Sequence, residues 1–413
     1  MLNSGHLGPR RLPRGTPAAR YLASLGALLL LSGCFGAAPP ITSCEPAAGL
    51  TPDCRFQNPE DLAPAPNGTE IIVSQYSDMA GTTAGSLVAW QPASGRIRPL
   101  FPGDADIAPI EGWGEIDCAA PDASQFAPHG IDTRTIVTGE QVLYVVNHGG
   151  RESIEMFELA DRDGATRLIW RGCVLAPEDG FFNDVAVLAS GEFRVSQMYP
   201  RSANALLTLL RMQLSDYSPG FVYHWSPANG FEPLPGSEAK FANGVALSAD
   251  DRFLFVNSYL GNEVIKVDTE TGKRVASVTV QSPDNLTWSP TGELLAASHL
   301  ASIADTLACG EVTTGNCGFA FRIVAIDADA IDADAIDTDA IDTDAMETGR
   351  MTVRTVLEHE GPPMGAATVA LPFGDGLYLG TFAGDRIVRA DAALLTPPDS
   401  EAQLPLANAT GRR

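Results

Sequence analysis

The sequence predicts an all-β fold, a six-bladed β-propeller with a metal site in its central channel. Three observations carry that expectation. A pattern of two apolar strands around a Gly/Asp/Pro turn recurs six times, the composition is turn-rich, and polar residues interrupt the repeats at equivalent points. The chain has 413 residues with 45% apolar and 19% charged residues, 40 Gly and 30 Pro, which suits a turn-rich globular protein better than a disordered or long-helical one. Its net charge of −24 argues against nucleic acid as a partner, because phosphate binding needs a basic face.

The repeat begins near Asp61, Gly130, Asp184, Gly244, Asn285 and Ala367, at intervals of 69, 54, 60, 41 and 82 residues. Those intervals match a four-stranded blade of roughly 40 to 50 residues plus loops. Within each unit apolar residues alternate, as in Val264-Ile265-Lys266-Val267-Asp268 before Thr271-Gly272, which is what half-buried antiparallel strands and their turns require. One such sheet cannot bury both faces, whereas blades stacked around an axis can. Two β-sandwich domains would need a linker, and no stretch reads as one.

The expected organisation is a lipoprotein signal peptide over residues 1–33, a tether with a first strand over 34–59, the propeller over 60–395, and a tail over 396–413. Arg10, Arg11, Arg14 and Arg20 precede an apolar run, Tyr21 to Leu31, too short for a stable span but right for a signal peptide. Leu31-Ser32-Gly33-Cys34 resembles the bacterial lipobox, which implies lipidation of Cys34 and an exported, membrane-tethered protein on the periplasmic or outer face of the envelope. Phe35, where an Asp would argue for inner-membrane retention, points to the outer membrane. Six cysteines then remain of seven, an even number suited to an oxidising compartment. Of the possible pairings, Cys44–Cys54, Cys118–Cys173 and Cys309–Cys317 are expected. No pair has the close spacing of zinc ligands.

Two insertions interrupt the rhythm. Ser202 to Leu214 is Leu-rich and helix-prone, and reads as a buried connector or a lid. Ala325 to Gly349 is a tandem pentapeptide with eight Asp and one Glu. It lacks the central Gly and closing Glu of an EF-hand and the paired Gly of a calcium β-helix, so a solvated acidic loop is expected.

Polar residues stand where repeats begin: Glu60-Asp61, Asn183-Asp184, Asn243 and Asp284-Asn285. A lone Asn-Gly or Asp-Asn is usually turn chemistry. Recurrence at one point of four repeats instead directs these side chains toward the propeller axis. Carboxylate and amide oxygens converging without Cys or His select a hard cation, and Glu60, Asn183, Asn243, Asp284 and Asn285 supply five of the six to eight oxygens that calcium takes.

With these motifs in order, together with PHGI at Pro128 to Ile131, VVNH at Val145 to His148 and FANG at Phe241 to Gly244, the chain resembles the paraoxonases. These are calcium-dependent lactonases and arylesterases on a six-bladed propeller. The resemblance runs from about Glu60 to Arg389. It implies that Glu60, Asn183, Asn243, Asp284 and Asn285 hold a catalytic calcium, and that Asp61, Asp184 and the carbonyl of Ile131 hold a second, structural one. It also implies a His129–His148 pair activating water, with Tyr76, Phe241, His299 and Thr368 lining the pocket. A histidine suits that role because its ordinary pKa lies close to working pH. The chain departs from the vertebrate pattern at Met198-Tyr199, where those enzymes have an Asp-His pair, and at Ser298, where they have Cys. No Cys follows Cys317, so strand pairing alone is expected to close the ring.

The expected activity is hydrolysis of a lactone or aryl ester, calcium polarising the carbonyl and a His-assisted water attacking. No Gly-x-Ser-x-Gly elbow supports a serine hydrolase. The alternatives are a regucalcin/gluconolactonase-type sugar lactonase and a noncatalytic surface propeller that binds a ligand or partner, since fold alone never fixes function.

Overall fold

The computed structural model describes Met1 and residues 38–78, 83–329 and 350–396. It divides into two compact units, Met1–Ala38 and Pro39–Arg413. The expected signal peptide, Cys34, most of the acidic repeat and the C-terminal tail lie outside the described residues. Among those residues no helix is long and apolar enough to cross a membrane.

The larger unit forms six sheets, antiparallel apart from one edge strand, arranged as the blades of a propeller. Their innermost strands are Pro59–Pro64, Pro128–Thr135, Phe182–Val187, Ala242–Leu247, Pro283–Trp288 and Ala367–Phe373, so all six repeat starts fall on the channel-lining strand of a blade. Each of these strands packs against the innermost strand of the next blade, and the sixth returns to the first. Between successive blades lies an apolar layer. Ile72, Leu87, Leu143 and Phe157 lie between the first and second blades, and Val256, Ile265, Val222 and Val245 between the third and fourth. This is how alternation with both faces apolar becomes a stable fold: every sheet buries each face against a neighbour.

Closure is by strand pairing, as expected. Thr51–Asp53 adds antiparallel to Ile387–Asp391 and supplies the outermost strand of the sixth blade. Arg386 reinforces the seam by donating to the carbonyls of Ile41, Ser43 and Pro363. The three disulfides pair as expected: Cys44–Cys54 beside the closing strand, Cys118–Cys173 on the second blade and Cys309–Cys317 in a loop of the fifth.

Three details differ from the sequence reading. The second blade has five strands rather than four, because Asp106–Ile107 pairs parallel to its outer edge. The acidic repeat does not begin as loop: Ala325, Ile326 and Asp327 complete the strand Phe321–Asp327, since the first Ala-Ile-Asp continues its alternation and Ile326 is fully buried. Asp329 then accepts a hydrogen bond from the buried Lys266 ammonium at 2.7 Å. Finally, a second helix follows the fifth blade's second strand.

The expected helix is present as α1, Ala205–Leu214, capped by the Asn204 side chain. It buries Thr208 and Met212 and leaves Leu206, Leu207, Leu210 and Leu214 exposed. Met212 sits on an apolar cap of Phe181, Met198 and Tyr199, with Phe241 packed against it. The unforeseen helix is α2, Ile303–Cys309, which starts in a Ser302/Asp305 capping box. Its Ser-x-x-Asp signature was readable in the sequence, but the segment is too short to show helical periodicity.

Candidate metal centre

Each innermost strand carries a register shift near its start: between Pro59 and Asp61, Pro128 and Ile131, Phe182 and Val185, Ala242 and Val245, Pro283 and Leu286, and Ala367 and Val369. The extra residues are left out of the ladder and re-aimed, which is the usual consequence of a bulge. They are Glu60, His129-Gly130, Asn183-Asp184, Asn243-Gly244, Asp284-Asn285 and Thr368. Four of the strands are also entered through a non-glycine residue with positive φ: Asn58 at 42°, Phe241 at 63°, Ser282 at 38° and Ala366 at 51°. Backbone strain of this kind costs about 1–3 kcal/mol per residue and tends to cluster at functional sites.

The glycines permit the strands to approach. A Cβ on Gly130 would lie 2.5 Å from Asp184 Oδ1 and 2.7 Å from the Asn183 carbonyl. One on Gly244 would lie 2.3 Å from the Asp284 carbonyl and 2.7 Å from Asn285 Cα. Turn chemistry is therefore not their only role; they let ligand-bearing strands close on the axis.

Around that axis Asn285 Nδ2 donates to Glu60 Oε1 at 2.8 Å. Thr368 Oγ1 donates to the Glu60 carbonyl at 2.6 Å, so this expected pocket residue also anchors the Glu60 backbone. His129 Nε2 stands 3.9 Å from Glu60 Oε1. Asn183 Nδ2 contacts Met198 Sδ at 3.5 Å, where the departure from the vertebrate Asp-His pair has placed an apolar wall. Asp284 Oδ2 lies 3.3 Å from His299 Nε2. His299 is itself held, with Nε2 donating to the Ala367 carbonyl at 3.0 Å and Nδ1 accepting from Tyr259 at 2.9 Å. The Tyr76 ring lies against His129, centroids 4.7 Å apart. Phe241 packs between Tyr199 and Tyr259.

Among the described residues, Glu60 Oε2, Asn183 Oδ1, Asn243 Oδ1 and Asn285 Oδ1 are buried without any hydrogen-bond partner. Leaving such a group unsatisfied costs about 1–3 kcal/mol each. These orphaned oxygens belong to four of the five residues expected to bind calcium. No three His, Cys, Asp or Glu side chains of the described residues cluster by themselves as a metal site. The set is instead rich in amides, and hard cations accept carboxylate and amide oxygens alike.

Electrostatics agree with that chemistry. Burial, then the charges of Asp61 and Asp284, push the Glu60 carboxyl well above its ordinary range. Burial raises Asp284 to about 7 although Asn243 donates to it. Burial raises Asp61 to about 7 despite hydrogen bonds from the Ile131 and Leu62 amides, and burial together with Asp61 raises Asp184. The largest charge effects on Glu60 all come from other carboxylates, those of Asp61, Asp284 and Asp184. Buried carboxylates without a counter-charge favour neutralisation by a proton or a cation. His129 is pushed well below its ordinary value by burial and then by His148, and His299 is lowered by burial to about 4. Both rings are therefore neutral at working pH.

Behind His129 the histidine pair is complete. His129 Nδ1 lies 3.0 Å from His148 Nε2. Sequence reasoning stopped there and missed Glu152, whose Oε2 is 2.9 Å from His148 Nδ1.

Taken together these features define a six-bladed propeller whose axis carries a buried oxygen-donor cradle beside a histidine relay. The arylesterase family matches over residues 114–339, more than half of the sequence, and the chain belongs to that family. It is 26% identical over 190 residues to serum paraoxonase/arylesterase 1 of Mus musculus, a match covering 43% of this chain. The chain spans about half the length of that relative, 50%. Solved structures with a similar fold include a gluconolactonase from Xanthomonas campestris, at 16% identity and a TM-score of 0.44, covering 86% of this chain and 98% of that one. A luciferin-regenerating enzyme is similar at 11% identity and a TM-score of 0.45, covering 85% and 95%.

Proposed function

We propose that this protein is a calcium-dependent hydrolase of lactones or aryl esters. The observation that carries the reading is the set of orphaned, buried oxygens on Glu60, Asn183, Asn243 and Asn285, placed beside a neutral His129. Glu60, Asp284 and the three amides would hold the catalytic ion, and Asp61, Asp184 and the Ile131 carbonyl a structural one. A calcium ion bound there supplies Lewis-acid polarisation of a carbonyl oxygen and charge to offset the developing oxyanion.

The remaining work falls to side chains. His129, unprotonated because it is buried, accepts a proton from the attacking water at Nε2, and His148 fixes its ring through Nδ1. Tyr76 braces the other side of that ring. Phe181, Met198, Tyr199 and Phe241 form an apolar wall that excludes water and suits an apolar acyl or aryl group. That wall favours apolar lactones over the sugar lactones of a gluconolactonase-type enzyme.

The same proposal places the protein outside the cytoplasm, lipid-anchored through Cys34, with the outer membrane as the favoured site. Three disulfides support an oxidising compartment. The exposed leucines of α1 would then meet the membrane surface and collect apolar substrates.

Turnover of phenyl acetate and of a medium-chain δ-lactone, with EDTA and then calcium added back, tests the reading. Activity lost to chelator and restored by calcium is expected. Calcium binding without turnover of any ester would replace the hydrolase with a ligand-binding propeller, and turnover restricted to sugar lactones would move it to the gluconolactonase type.

A further inference from the structure

The loop from His148 to Glu152 turns back on itself so that a carboxylate meets the imidazole four residues earlier. Gly149 and Gly150 make the turn possible, Gly150 at φ 72°, and a Cβ on Gly149 would collide with the Gln125 carbonyl. Glu152 Oε1 accepts from the Phe182 amide at 2.7 Å, and Oε2 accepts from Arg201 Nη1 at 2.5 Å. Arg201 also lies over the Phe181 ring, 4.9 Å from its centroid. The carboxylate is thus held from two further directions, and its side chain is only 8% exposed.

A carboxylate is an acceptor only, so the contact at 2.9 Å puts a proton on His148 Nδ1. In the neutral ring Nε2 is then a lone pair. It faces His129 Nδ1 at 3.0 Å, which must therefore be the protonated nitrogen of that ring. His129 Nε2 is left with its lone pair directed at the metal centre, on the side where Glu60 Oε1 lies at 3.9 Å. Two histidines alone have a second, equally satisfied arrangement. In it His148 Nε2–H donates to His129 Nδ1, and His129 Nε2 carries a hydrogen and cannot accept one. Nothing within the pair chooses between the two, and Glu152 does.

We propose that Glu152 is a positioning residue that selects the Nδ1–H tautomer of both histidines and so makes His129 Nε2 a proton acceptor. The proposal rests on His129 acting as the base in the hydrolysis above. In that step the water proton moves to His129 Nε2 as the water oxygen bonds to the carbonyl carbon. The imidazolium charge that forms lies one ring away from the Glu152 anion.

The test uses the full-length chain, labelled with 15N in its histidine rings. Wild type is expected to show His129 and His148 protonated at Nδ1. Glu152→Gln keeps the shape but cannot accept from both Arg201 and the Phe182 amide while also accepting from His148. It is expected to shift His129 toward the Nε2–H tautomer and to lower kcat for phenyl acetate about 100-fold, the scale of a general base. KM and calcium affinity should stay within about twofold, because Glu152 touches neither ion nor substrate. Unchanged tautomers in Glu152→Gln overturn the proposal whatever the activity. Shifted tautomers with unchanged kcat uphold the positioning role and refute His129 as base, so the two failures are distinguishable. Glu152→Ala supplies a second route: added formate should restore part of its kcat and leave wild type unaffected, and no restoration in the folded variant overturns the proposal.

Discussion

Asp284→Asn should reverse its effect on stability according to whether calcium is present. In the folded chain burial lifts the Asp284 carboxyl from its ordinary 3.8 to about 7. The folded state therefore holds a proton that the unfolded state has released between about pH 4 and 7, and metal-free stability falls as pH rises through that window. Above it the penalty is complete. At about 1.4 kcal/mol per pKa unit it is on the order of 4 kcal/mol. Asparagine keeps the shape and removes the charge, so at pH 8 in EDTA the variant should be the more stable protein. With an unfolding entropy of about 2.1 cal/mol/K per residue over a propeller of this size, the gain is roughly 5 °C in Tm. Saturating calcium should invert the order. An ion held at about 10,000 times its Kd adds about 5.5 kcal/mol to wild type, more than the penalty of about 4, and a variant with one of two carboxylates removed loses most of that. The assay is thermal unfolding followed by circular dichroism, at pH 4 and pH 8, in chelator and in calcium. At pH 4 in chelator the two chains should nearly coincide. A variant less stable than wild type in EDTA at pH 8, or no inversion with calcium, would refute the reasoning.

Other consequences follow from the geometry. Gly130→Ala should destabilise the chain by several kcal/mol and abolish calcium binding, because its Cβ would lie 2.6 Å from Asp184 Cα, a backbone atom that cannot swing away; calorimetry with calcium titration checks both. Deleting the chain through Asp53 removes the outer strand of the sixth blade and leaves Ile387–Asp391 as a bare edge. Soluble yield should collapse and the remaining protein should associate on size-exclusion chromatography, whereas a monomer with wild-type Tm would show that the closing strand is dispensable. Charging Leu207 and Leu210, which are 66% and 44% exposed, should raise KM for long-chain lactones and spare short ones without changing Tm. Equal effects on both substrates would assign α1 a packing role.

Much of the site was legible because a propeller repeats its strands at a common register. Glu60, Asn183, Asn243 and Asp284 were conspicuous as polar residues where a channel-lining strand begins, and each lies in a register shift at that point. The six blades followed from alternation, which is local and survives in a single chain's sequence. Glu152 was not legible. A glutamate four residues after a histidine reads as a charge facing solvent, and its role depends on a turn that brings it back and on Arg201 and Phe182 arriving from the next blade. The first residues of the acidic repeat failed for the opposite reason: low complexity concealed a strand end whose burial only the blade's neighbours decide.

The sequence by itself determined the number of blades and which polar residues stand where the innermost strands begin, because these depend on periodicity and on residue type. Only the tertiary structure decided which of their oxygens lack partners, which strand closes the ring, and which nitrogen of His129 faces the centre. These depend on groups far apart in the chain that meet only after the blades have packed, Thr51 against Arg389 and Asn285 against Glu60 among them.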